Sequence, residues 1–153
     1  MFVLTSRDST ECHWAGAGIH PLTMETPGFR RKLKPKTILV CEDDAMVAET
    51  LRMALSVDGH KVDTAGDGEQ ALGMFADAKY QLVITDFTIA KMDGLELAEK
   101  VKKLSPSTPV LLFTDCAELI RAQGGSVSNV DAVLGKPFSI REILATLERI
   151  FPE

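Results

Sequence analysis

From residue 37 onward, apolar positions follow two rhythms that alternate along the chain. Short continuous runs rich in β-branched residues occur at 38–41 (ILVC), 82–85 (LVIT) and 110–113 (VLLF). Runs of that length and composition predict strands buried on both faces of a parallel sheet. Residues 61–65 alternate apolar and polar positions and predict a second strand; residues 131–135 predict a fifth, weakened by Gly135. Between the strands the spacing becomes helical. Val47, Leu51, Ala54 and Leu55 share one face of a helix over 45–56, and a short second helix runs through Leu72 and Phe75. Leu95, Ala98, Val101 and Leu104 stripe a third helix, residues 117–123 form a fourth that stops at Gly124-Gly125, and Ile143, Leu144, Leu147 and Ile150 stripe the last. Asp58-Gly59-His60, Gly66-Asp67-Gly68, Lys91-Met92-Asp93-Gly94 and the stretch from Ser105 to Pro109 punctuate the elements. Ser139 and Glu142 have the spacing of a capping box, in which hydroxyl and carboxylate satisfy each other's orphan amides. Five strands alternating with five helices predict an α/β fold: a doubly wound five-stranded parallel sheet with helices on both faces.

Residues 1–34 break this rhythm. They are rich in Thr, Ser, Gly and Pro and lead into the basic stretch GFRRKLKPK at 28–36. The segment reads as a flexible tail ahead of a domain over 35–153, and Met24 begins a shorter plausible reading frame. Cys12, His13 and His20 match no standard zinc spacing and read as part of the tail. Nothing follows the last helix, so the expectation is a domain that works without an attached C-terminal output domain.

Composition narrows the function. The net charge is −5 and the pI about 5.2, so nucleic acid is not favoured as a direct partner. No apolar run is long enough to span a membrane, and the acid-bearing N-terminus is no secretory signal. Three cysteines without CxxC spacing, with Cys41 inside a strand, fit free thiols in a reducing cytoplasm.

The chemistry lies where the strands end. The runs close on Glu42-Asp43, Asp86, Thr114 and Lys136-Pro137. A doubly wound sheet collects the carboxyl ends of its strands at one edge, where ligands bind. Three carboxylates placed that close repel one another unless a hard cation compensates them, and magnesium takes such oxygen donors. Asp86 is the candidate nucleophile, since a carboxylate can accept a phosphoryl group. Charge developing on a transferring phosphoryl needs a cation and a hydroxyl near it, which Lys136 and Thr114 can supply. A cis Lys136–Pro137 bond is one way to aim the lysine inward.

These residues resemble a known family. ILVCEDD, LVITDFTIAKMDGLEL, VLLFTD and LGKPFSIREIL look like the receiver domain of bacterial two-component response regulators, in order and at compatible intervals over residues 37–151. The resemblance implies a flavodoxin-like sandwich. It implies Asp86 as phosphoacceptor, with Glu42, Asp43 and the Thr88 carbonyl joining it at Mg2+, and Thr114 and Lys136 as switch hydroxyl and phosphoryl-binding lysine. It further implies a phosphodonor that is a sensor histidine kinase or phosphotransfer protein, a downstream protein target, and a monomer or weak dimer. The activity implied is that of a signalling domain, not an enzyme beyond its own phosphorylation and dephosphorylation.

Three positions depart from the family pattern. Asp115 follows the switch threonine where a small residue is usual. Val133 replaces the aromatic that stands three residues before the lysine. Ala90 replaces a proline in the loop after the phosphoacceptor, which predicts a more flexible loop. Around Gly124-Gly125-Ser126 the fourth helix is short, which predicts a loosely ordered docking face. Asp115 and Val133 motivate an alternative, a degenerate receiver acting as a phosphorylation-independent adaptor. An aspartate-nucleophile phosphatase would need a D-x-D pattern after the first strand, and this chain has Glu42-Asp43-Asp44. The acidic first loop disfavours flavin phosphate, and no nucleotide P-loop is present.

Overall fold

The computed structural model describes residues 3–4, 33–115 and 129–152. Its central sheet has five parallel strands: β2 (Thr37–Cys41), β3 (Lys61–Ala65), β4 (Leu82–Asp86), β5 (Val110–Thr114) and β6 (Ala132–Gly135), in the spatial order β3-β2-β4-β5-β6. The apolar runs are continuous because the inner strands β2, β4 and β5 are buried on both faces. Ile38 and Val40 point into one core and Leu39 and Cys41 into the other, and all four are fully buried. Leu82 and Ile84 divide from Val83 in the same way along β4. The register is parallel throughout, with Val40 opposite Ile84 and Asp86 opposite Phe113.

Four helices flank the sheet among the described residues: α1 (Ala45–Val57), α2 (Gly68–Asp77), α3 (Gly94–Leu104) and α4 (Ile140–Ile150). Leu51 and Leu55 of α1 and Ile143, Leu144 and Leu147 of α4 fill the first core; Ala71 and Phe75 of α2 and Leu97, Ala98 and Val101 of α3 fill the second. On α3 the buried stripe is centred on Leu97, while Leu104, expected on the apolar face, is exposed at the helix end. The expected helix over 117–123 lies outside the described residues.

Every described helix begins on a side chain that accepts its orphan amides. Asp44 accepts from Met46 and Val47, Asp67 from Gln70 and Asp93 from Glu96. Ser139 and Glu142 form the expected capping box. The three aspartate caps follow strands, so the connections carry acids along the carboxyl edge of the sheet. The helices then leave that edge directly, and the side chains between strand end and cap are free for chemistry.

Most of the segment expected to be a tail lies outside the described residues, Cys12, His13 and His20 included. Two pieces of it are described. Val3–Leu4 forms a short strand, β1, antiparallel to β7 (Phe138–Ser139), and Leu33 is buried in the first core. Among the described residues no helix is long and apolar enough to cross a membrane.

Candidate functional site

Two strand ends bring the acids together. The chain adds β3 on one side of β2 and β4 on the other, so the strand order reverses there and the carboxyl ends of β2 and β4 lie side by side at the switch point. Glu42 follows β2 directly, its N–H donating to the Ala65 carbonyl at 3.0 Å, so the backbone stays paired as far as the carboxylate. Asp86 is the last residue of β4. Oxygens of Glu42, Asp43 and Asp86 all lie within 4.8 Å of one another. Asp43 is exposed, whereas Glu42 is 3% and Asp86 7% exposed.

The energetics of this cluster are unfavourable for the protein alone. Burial is the main cause that pushes the Glu42 carboxyl up to about 8, and the Asp86 charge adds to it. The Asp44 amide, donating to Glu42 Oε1 at 3.0 Å, and the Lys136 charge oppose the shift. Glu42 Oε2 is buried without a hydrogen-bond partner. An orphaned carboxylate oxygen beside two other carboxylates is a set of hard donors, and Mg2+ suits it in charge and ligand type. Next to the cluster the Cys41 thiol is pushed up to about 12, chiefly by burial, and stays a neutral core group.

Lysine closes the other side. The Lys136–Pro137 peptide bond is cis, and Lys136 Nζ donates to Asp86 Oδ2 at 2.7 Å. The same nitrogen is 3.9 Å from Glu42 Oε2 and stands 5.0 Å from the centre of the Phe113 ring. The Lys136 N–H donates to the Thr114 carbonyl at 2.9 Å, which ties the lysine to the end of β5. Thr114 is buried there at 3% exposure. The Thr88 N–H donates to Asp86 Oδ1 at 3.3 Å, so the loop after β4 turns its backbone toward the carboxylate. Glu42, Asp43, Asp86, Thr88 and Lys136 thus meet in one pocket, with Thr114 on the adjoining strand end.

The departures noted in the sequence lie outside the acidic group. Asp115 is exposed in the turn after β5 and is not part of the acidic group. Val133 is half-buried on β6. Two aromatics pack beside Lys136. Phe113 and Phe138 are buried and meet edge to face, with ring centres 5.4 Å apart. One lies just before the strand-end threonine and the other just after Lys136-Pro137, which is the only signal the sequence carries for the contact. Lys91 was also missed as anything beyond loop. It adopts a left-handed backbone, φ 72°, and its ammonium lies 3.5 Å from Asp67 and 3.4 Å from Glu69.

The fold and pocket define an α/β domain whose chemistry sits at the switch point of a parallel sheet, three acids facing a lysine. The model of the response regulator receiver domain matches residues 38–148, and the chain belongs to that family of two-component signalling domains. Among curated proteins it is 33% identical over 116 residues to response regulator MprA of Mycolicibacterium vanbaalenii, covering 76% of this chain and 50% of that protein. MprA of Mycobacterium avium is likewise 33% identical, over 113 residues. The chain therefore spans about half the length of these relatives. Among solved structures, chemotaxis response regulator CheY4 of Vibrio cholerae superposes with a TM-score of 0.71 at 27% identity, covering 77% of this chain and all of CheY4. Response regulator TrrA of Thermotoga maritima, in complex with Mg2+ and BeF, gives 0.69 at 30% identity over 76% of this chain and 99% of TrrA.

Proposed function

We propose that this receiver domain takes a phosphoryl group from a phosphohistidine onto Asp86, with Mg2+ held by Glu42, Asp43, Asp86 and the Thr88 carbonyl. The donor is a sensor histidine kinase or phosphotransfer protein, and the modified domain, cytoplasmic and monomeric or weakly dimeric, docks to a downstream protein. The observation that carries the reading is the Lys136–Asp86 contact at 2.7 Å beside the orphaned Glu42 oxygen. A nucleophilic carboxylate, a fixed ammonium and an unsatisfied acid in one pocket are the parts that phosphoryl transfer needs. The Mg2+–BeF complex of the TrrA neighbour supports the choice of cation.

In this reading an Asp86 oxygen attacks phosphorus, the P–N bond breaks, and the electron pair leaves on the imidazole nitrogen. The product is an acyl phosphate; water attacking phosphorus later returns the carboxylate and inorganic phosphate. The Lys136 ammonium and the Thr114 hydroxyl stabilise the phosphoryl oxygens, and the Thr88 amide orients the carboxylate. When bound, Mg2+ supplies compensation for the clustered negative charge. Contacts that Lys136 and Thr114 make only to the phosphorylated form bias a two-state surface built on the fourth helix of the family fold, β6 and α4.

A second reading, a phosphorylation-independent adaptor, is favoured by Val133 at the position of the usual aromatic. Mass spectrometry after treatment with acetyl phosphate separates the two. A gain of one phosphoryl mass that requires Mg2+, maps to Asp86 and is absent from Asp86→Asn supports the first. An unmodified wild-type chain leaves only the adaptor.

A further inference from the structure

Lys91 is an outlier whose cost and return do not balance as a matter of stability. It is the one described residue other than glycine with a positive φ, and a side chain on a left-handed backbone is strained. Its partners return little, because the Lys91 side chain is about half exposed and such pairs are screened by solvent. A glycine would satisfy the backbone at lower cost. What the lysine adds is a tether. Asp67 Oδ1 caps α2 by accepting from the Gln70 amide, while Oδ2 faces Lys91, and Glu69 in the first turn of α2 takes the same ammonium. The Gly68 N–H donates to the Ala90 carbonyl, and Met92 packs so tightly on Gly68 that a Cβ there would lie 2.1 Å from Met92 Cγ. At its near end the loop is held by the Gly94 amide on the Phe87 carbonyl at 2.8 Å. The piece between these holds, Thr88 to Ala90, is the piece that turns the Thr88 amide onto Asp86.

We propose that Lys91 is a positioning residue for phosphoryl transfer: by bridging Asp67 and Glu69 it clamps the 87–93 loop to α2 and sets the Thr88 backbone against Asp86. This inference rests on the phosphoacceptor reading above. With Ala90 in place of proline the loop relies on its contacts with α2, and the ion pairs add a lateral hold to the Gly68–Ala90 hydrogen bond and the Met92 packing.

The test uses the full chain with Lys91→Gly and Lys91→Arg. Phosphorylation by acetyl phosphate is followed across a Mg2+ titration, and exchange of the Thr88 amide is followed in the metal-free proteins. A clamp predicts that Lys91→Gly lowers the maximal rate at saturating Mg2+ about fivefold or more, because small displacements of positioned groups are costly. Thr88 exchange accelerates several-fold, Lys91→Arg restores both, and the midpoint of thermal unfolding stays within about 3 °C of wild type. The idea is overturned if the maximal rate and Thr88 exchange of Lys91→Gly match wild type. It is equally overturned if only the Mg2+ half-saturation point moves, which would be a field effect of the lost charge, or if arginine fails to rescue. Should wild type take no phosphoryl group at all, the phosphoacceptor reading fails on its own, and the exchange measurement still decides whether Lys91 clamps the loop.

Discussion

Replacing Glu42 by glutamine separates two contributions of the same side chain. Glutamine keeps the shape and leaves a carbonyl oxygen to accept from the Asp44 amide. It removes the charge that burial and Asp86 disfavour. In the folded, metal-free protein the Glu42 carboxyl holds its proton up to about pH 8, against 4.5 when unfolded. Between those values the unfolded chain binds fewer protons, so wild-type stability falls as pH rises. The slope is about 1.4 kcal/mol per pH unit, which reaches roughly 3 kcal/mol by pH 7. Glu42→Gln lacks this loss. Without metal it is therefore more stable than wild type by an amount that is small at pH 5 and grows to a few kcal/mol toward pH 8. Mg2+ bound as proposed should stabilise the wild type more than Glu42→Gln and so narrow or reverse that difference, because binding to the folded state stabilises by mass action while the amide removes a charged donor. Urea unfolding of both proteins at pH 5, 7 and 8, with and without Mg2+, reads all four corners. A metal-free difference that does not change with pH would refute the burial argument, and an equal response to Mg2+ would refute Glu42 as a donor.

Further outcomes follow from other contacts. Lys136→Met strips the partner from the nearly buried Asp86 carboxylate and should cost about 3–5 kcal/mol in metal-free urea unfolding; a loss below 1 kcal/mol would mean the pair is not desolvated. Gly94→Ala places a Cβ 2.4 Å from the Asp86 carbonyl and 2.7 Å from Leu112, so the denaturation midpoint should drop by the equivalent of about 2 kcal/mol or more; an unchanged midpoint would contradict that close approach. His60 is buried and its Nδ1 accepts from the Lys36 amide. Burial holds its pKa below 6.5, with nearby Lys36 adding to this and Asp58 opposing it. The unfolded chain then binds the proton first, so this contribution is intact above pH 6.5 and declines as pH falls toward the folded pKa. His60→Gln should flatten that limb of the pH–stability curve, and two parallel curves would rule the histidine out.

The order of strands and helices was legible in the sequence because burial on both faces of a parallel sheet demands uninterrupted apolar runs. Ile38 to Cys41 and Leu82 to Ile84 satisfy that demand with short runs rich in β-branched residues. The acids were legible for a related reason: a carboxylate directly after a buried strand has no packing role. Other features needed three dimensions. The approach of Glu42 to Asp86 and the orphaned oxygen between them depend on which strands are neighbours, a property of the whole sheet. The edge-to-face contact of Phe113 with Phe138 joins β5 to the residue that follows a cis proline, and no local periodicity encodes it. Lys91 reads in sequence as one more polar loop residue, and its left-handed backbone and two acidic partners emerge only when α2 packs beside the loop. Local pattern specifies which segments become strands and helices because burial acts on each side chain in turn. Charge compensation and loop position were decided by the tertiary structure, because they depend on distances between groups far apart in the chain.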